Sequence, residues 1–394
     1  MRIRSALAGA GCLALAATLI AAPAQAAGEA KATPRGAKIV VGGLMAPLTL
    51  AVGQRGDVFV TQVMGMDPNV PFIPRLSRVD QRGEVHHVKR LLGPEGELVG
   101  VAYHRGNTYH VETVPRKGKD PLSRVIRTSP TGKRTAVSEN LWTYERENNP
   151  DRRSTYGFTD LRGTCKIRVA NYQRAANRPP IFLAYKGIVE SHAYQLEVHD
   201  GTIYVADAAA NAVLKVNERT QEVTSATVIP ASPITFNKKL EGFIEETFGG
   251  DFPSCAIGKK YVPEPVPTDV VLGPDDDLFV STLQGGAGEV LPLSKIHRIE
   301  QRRGPDRVTI VSGRMRGTTG LDRASNGDLY VAQMFGNEVS VIKNRGGKYD
   351  KTAKAAKVFS AVTPADVEVV SDHTLYATTF APGQLLKYDL KGQR

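Results

Sequence analysis

The chain has 394 residues, with 51 Lys and Arg against 40 Asp and Glu for a net charge of +11, and only 7% aromatic residues. The basic residues are scattered or paired (Arg152-Arg153, Lys259-Lys260, Arg302-Arg303) and not interleaved with aromatics, which excludes a specific nucleic-acid groove. No stretch beyond the leader is long and apolar enough to span a bilayer as a helix.

The leader itself comes first. Arg2 and Arg4 are followed by an apolar run, Leu13 to Ala22, and by Pro23-Ala24-Gln25-Ala26. A basic start, an apolar middle and a small-x-small end define a signal peptide over residues 1–26, cut after Ala26. With no twin-arginine pair, the general secretory route and a secreted, extracellular protein are expected. Residues 27–36 are expected to be a short disordered N-terminus, and 37–394 a single domain. Cleavage leaves 49 basic against 40 acidic residues, or +9, a charge that favours anionic envelope polymers.

From there the chain repeats one phrase six times: a turn followed by a β-branched and aromatic strand. Gly56-Asp57-Val58-Phe59-Val60-Thr61 and Gly327-Asp328-Leu329-Tyr330-Val331-Ala332 are two copies. The aromatic anchors are Phe59, Tyr109, Tyr204, Phe279, Tyr330 and Tyr376. Short apolar strands precede each copy, such as Ala365-Asp366-Val367-Glu368-Val369, and two more strands follow. This is the blade size of a propeller, so the expected fold is all-β, a six-bladed β-propeller. The last blade lacks a fourth strand, whereas Ala37-Lys38-Ile39-Val40-Val41 stands unpaired at the start. The ring is therefore expected to close by Lys38–Val41 pairing with Leu385–Tyr388, which removes an open edge.

Tyr204-Val205-Ala206-Asp207 with Asn211-Ala212-Val213-Leu214-Lys215-Val216 resembles an NHL-repeat strand pair. Val266-Pro267-Thr268-Asp269-Val270-Val271-Leu272-Gly273-Pro274-Asp275, with Tyr144-Glu145-Arg146-Glu147-Asn148-Asn149-Pro150-Asp151, resembles the ScyD/ScyE family of exported six-bladed propellers. The likeness spans about Lys38 to Leu390. It implies the fold and attaches no reaction. Asp275-Asp276-Asp277 departs from the family's usual Pro-Asp-Gly turn and is read as a plain turn.

Excess length falls into insertions at about 139–191 and 230–267, both on the face that carries the loops after the second and fourth strands. That face is expected to bear the binding surface. Cys165 and Cys255, one in each insertion, suit a single disulfide, with two buried thiols as the alternative. Trp142, Tyr144 and Tyr156 are read as apolar anchors of the first insertion in preference to a glycan-stacking surface. Candidate channel residues near the starts of the inner strands are Glu97, Glu190, His192, Asp269, Thr319 and Asp366. A carboxylate ring with one histidine suits calcium or magnesium, and local turn duty is the competing role. The functional expectation is a monomeric binding or scaffold protein for a protein, small-molecule or glycan ligand. A lactonase-like metal-dependent hydrolase, or a lyase using Glu190 and His192, is the alternative.

Overall fold

In the computed structural model, residues 36–64, 72–93, 96–175, 179–351 and 354–390 are described. The expected signal peptide, its cleavage site at Ala26 and residues 27–35 lie outside that set. Six four-stranded antiparallel sheets, the blades, stand around an axis. Each runs from an inner strand A to an outer strand D. The A strands are Pro47–Val52, Glu97–His104, Ala193–His199, Pro267–Leu272, Thr318–Arg323 and Pro364–Val370, in blades I to VI. Every A strand touches the A strands of both neighbouring blades, so the ring is closed.

Burial follows position in the blade. In blade I, Leu48 to Ala51 of strand A are buried, whereas strand D, Val85–Arg90, is almost wholly exposed. Inner strands are sandwiched between neighbouring blades, so their apolar side chains are buried, whereas the outer strands face solvent. Blade VI takes its fourth strand from the N-terminus. Ala37 pairs with Tyr388, Lys38 with Lys387 and Ile39 with Leu386, and a bulge sets Val41 against Leu385. The Gly383 N–H donates to the Thr379 carbonyl, and the Leu44 N–H donates to the Gly383 carbonyl, which holds the incoming chain at the start of the last strand.

The insertions carry more regular structure than long loops of this kind suggest. Helix α1 (Leu141–Asn148) ends in a left-handed Asn149. Helices α2 (Gly163–Arg174) and α3 (Lys238–Phe248) flank a seventh sheet, ordered Tyr185–Lys186, Thr155–Phe158, Lys260–Val262, Ile234–Thr235. Asn237 caps α3 by accepting from the Lys239 and Leu240 N–H groups. Phe158, Tyr172, Phe182, Phe236, Leu240 and Phe252 form a separate apolar core beneath them. Two segments far apart in the chain thus complete one cap, which neither can bury alone.

Cys165 and Cys255 are joined, 90 residues apart, across this cap. Closing a loop of that length restricts the unfolded chain by roughly 4.6 kcal/mol in the chain-entropy account. Cys165→Ser with Cys255→Ser is therefore expected to loosen the cap before the blades. Limited proteolysis read by mass spectrometry should place the earliest new cuts within the insertions; first cuts within the blades would contradict this.

Candidate functional site

The A strands all carry a bulge near their start, at Leu48-Thr49, Gly100, Tyr194, Thr268, Thr319 and Ala365. Beside the bulges, three polar side chains tie alternate blade seams together at the waist of the axial channel. Asp366 Oδ2 of blade VI accepts from Leu50 N–H of blade I at 2.8 Å. Asp269 Oδ2 of blade IV accepts from Leu321 N–H of blade V at 2.7 Å. Gln195 Oε1 of blade III accepts from Val101 N–H of blade II at 2.8 Å. Gln195 also crosses the axis, donating from Nε2 to Asp366 Oδ2 at 3.1 Å. Glycines leave room for these side chains at the waist. A Cβ at Gly320 would lie 2.4 Å from Asp366 Oδ1, and Gly100 (φ +59°) packs against the Gln195 backbone.

Asp269 and Asp366 therefore have a structural task. Asp366→Ala strips an acceptor from Leu50 N–H, Val367 N–H and the Gln195 amide, and should cost about 3 kcal/mol in urea unfolding. Asp366→Asn retains one acceptor and should lose less. A change below about 1 kcal/mol for the alanine variant would remove this role.

Between the waist and the face bearing the short A–B turns lies a cavity of about 310 Å³. Two residues beyond Gln195 and Asp366 on their own strands, Glu197 and Glu368 line it, and Asp322 of blade V, two residues beyond Gly320, joins them, because every second side chain of a strand shares a side. With Asp269 and Asp366 that makes five carboxylates in one cavity. Glu368 accepts from Val52 N–H at 2.7 Å and Asp322 from Val369 N–H at 2.6 Å, again across blade seams. Tyr103, His104, His199 and Arg323 lie at the mouth, where the two histidine rings meet edge to face, 6.3 Å apart. Arg323 also lines the cavity, where its charge acts on Asp322, and its guanidinium bonds the Tyr349 hydroxyl.

Confinement governs the charge here. Burial, then the Asp322 charge, pushes Glu197 up to about 8. Burial raises Asp366 to about 8 and Asp322 to about 6. Asp269 is raised well above the carboxylate range by burial and by Asp366, and Glu368 by burial and by Asp322. The site holds protons at neutral pH that an incoming cation would displace.

The six expected site residues separate into different places. Asp269 and Asp366 meet at the waist. Glu97 and His192 pair at the long-loop ends of blades II and III, Oε2 to Nδ1 3.4 Å, with Glu97 47% exposed. Glu190 is buried two residues before His192, and Thr319 is buried beside Gly320. On the long-loop side of the waist, Leu48, Val99, Tyr194, Leu283, Met334 and Phe380 belong to one apolar cluster. Among the described residues, the one group of three carboxylate or histidine side chains close enough for a single ion is Asp80, Glu84 and His86, in the C–D region of blade I. Asp80 is already occupied there by the Arg82 and Glu84 N–H groups and by His86. Asp275-Asp276-Asp277 forms a turn, with Asp277 paired to Arg298.

No protein-family model and no curated protein matches the chain. Solved structures of similar fold include an oxidoreductase described as a glucose dehydrogenase from Thermus thermophilus, with 17% identity and a TM-score of 0.52 over 90% of this chain and 99% of that one. Another is the PQQ-bound aldose sugar dehydrogenase of Streptomyces coelicolor, at 13% identity and a TM-score of 0.50 over 91% and 98%. The soluble aldose sugar dehydrogenase of Escherichia coli gives 12% and 0.50 over 89% and 98%. At such identities the likeness is one of fold, the six-bladed propeller.

Proposed function

We propose that this protein is an exported, ScyD/ScyE-like binding protein whose recognition site is the acidic axial cavity, and that its ligand presents aliphatic ammonium groups. The observation that carries this reading is the convergence of Glu197, Asp269, Asp322, Asp366 and Glu368 on one cavity. Their layers are two residues apart on the inner strands, about 7 Å along the axis. An extended cation with several ammonium groups matches two separated layers better than a compact metal ion does, since these carboxylates do not close on a single point. The disulfide supports an exported location. The positive exterior remains suited to anionic envelope polymers, while the cavity offers carboxyl groups that become charged as ammonium groups enter.

Calorimetric titration with spermidine tests this. The mature protein should bind it with one-site stoichiometry, and Glu197→Gln with Glu368→Gln should abolish most of the affinity. Equal binding by the double variant would defeat the proposal. The Glu97–His192 pair favours a second reading, a metal-dependent hydrolase or lyase at the opposite end of the channel. Metal-dependent lactone turnover lost in His192→Ala would support that one instead.

A further inference from the structure

Beneath the cap, the segment Glu145 to Asp151 places four oxygen atoms in the interior without hydrogen-bond partners. They are Glu145 Oε1 and Oε2, Asn149 Oδ1 and Asp151 Oδ1. Glu145 and Asp151 are each only 1% exposed. All three residues fall within one seven-residue stretch. Glu145 lies in the last turns of α1, Asn149 closes that helix in a left-handed conformation, and the Asn149 N–H bonds the Glu145 carbonyl. The chain then turns so that Asp151 faces blade III, where its Oδ2 accepts from the Tyr156 hydroxyl at 2.8 Å and the Asn211 amide at 2.9 Å. Its other oxygen sits against Gly187, where a Cβ would intrude to 1.8 Å.

Among the described residues, no basic side chain answers this charge. Arg146 turns outward to Asp120 and Glu147, and Arg152 turns outward to the Asn148 carbonyl. Asp207, whose charge also acts on Glu145, is occupied by the Ser191 hydroxyl and the His192 and Ala210 N–H groups. The carboxyl-terminal end of α1 adds partial negative charge of its own. A buried carboxylate with two unmet oxygens beside a second carboxylate and an amide oxygen is costly as it stands.

We infer that Glu145, Asn149 and Asp151 bind a hard divalent cation of the calcium class, which pins the base of the first insertion to blade III. All four free atoms are oxygens, the donors such ions select, and a mixed set of carboxylate and amide oxygens suits calcium, which takes about six to eight such ligands, better than magnesium, which keeps several waters. Through Asp151 and Asn211, whose Oδ1 accepts from Val266 N–H, the ion would join α1 to the entry of blade IV. This site is separate from the axial cavity, and its test is independent of amine binding.

The chain's single tryptophan, Trp142, lies on α1 and can sensitise bound terbium. Mature protein purified without chelator should carry one calcium per chain by elemental analysis. Terbium should give saturable tryptophan-excited emission that calcium displaces more readily than magnesium. Glu145→Gln or Asp151→Asn should weaken it by more than the roughly tenfold cost of losing an outer-shell partner. Glu197→Gln with Glu368→Gln should leave the emission intact. Chelation should lower the wild-type melting temperature by roughly 4 °C. Absence of saturable emission up to about 1 mM terbium, with a melting temperature indifferent to chelator, would overturn the inference even if the variants fail to fold. So would unchanged emission in both folded variants.

Discussion

A variant beginning at Gly42 is expected to give no soluble monomer. Removing Ala37–Val41 strips blade VI of its outer strand and leaves Gln384–Asp389 as a bare edge. Ala37 is buried in the same cluster as Leu375, Ala377 and Leu386, so the loss uncovers core as well as backbone. Two consequences reinforce each other: the strand that joins the two ends of the ring is gone, and the exposed edge is a template for pairing between chains. Size-exclusion chromatography should show aggregate for the truncated chain and a single discrete peak for the full mature chain. Supplying the segment as a peptide should recover part of the monomer. A truncated chain that stays monomeric with the parent's melting temperature would mean that closure lies elsewhere.

The second large effect is on pH. Free carboxyl groups titrate near pH 4, but Glu197 and Asp366 are raised to about 8 and Asp322 to about 6. Between those values the folded state holds more protons than the unfolded one, so stability falls as pH rises through the folded values. Buried neutral His110 and His297, both lowered by burial, act oppositely and cost stability below their unfolded value of about 6.5. The melting temperature is therefore expected to fall from about pH 6.5 to 8.5. Glu264, raised to about 7, adds to the same slope outside the channel. Glu197→Gln with Glu368→Gln should flatten the curve, and spermidine should restore wild-type stability more at pH 8 than at pH 6. A double variant with the parent's pH slope would show that the cavity carboxylates are ordinary ones.

The propeller is legible because its information is local and repeated. Each blade announces itself by a turn and an aromatic strand, and the orphan Ala37–Val41 strand finds its partner by elimination. The cap is not legible. Its sheet is built from pieces two to four residues long, drawn from both insertions, and too short to carry a period. The acidic cavity is half visible. Asp269 and Asp366 stand at the strand starts, where channel residues are expected, but attention to strand starts stops short of Glu197, Asp322 and Glu368. Asp366-Val367-Glu368 already spaces two carboxylates by two, which in a strand puts them on one side. Glu145 and Asp151 stand inside a motif that carries a family resemblance; their burial depends on a cap no single segment foretells.

The most direct measurement is a crystal structure of the mature protein grown at pH 8 with spermidine. The account predicts an extended chain of density along the axis, its ammonium groups against Asp269 and Asp366 at one end and Glu197, Asp322 and Glu368 at the other. Ordered water alone in that cavity, with the ligand bound on the cap or not at all, would contradict it.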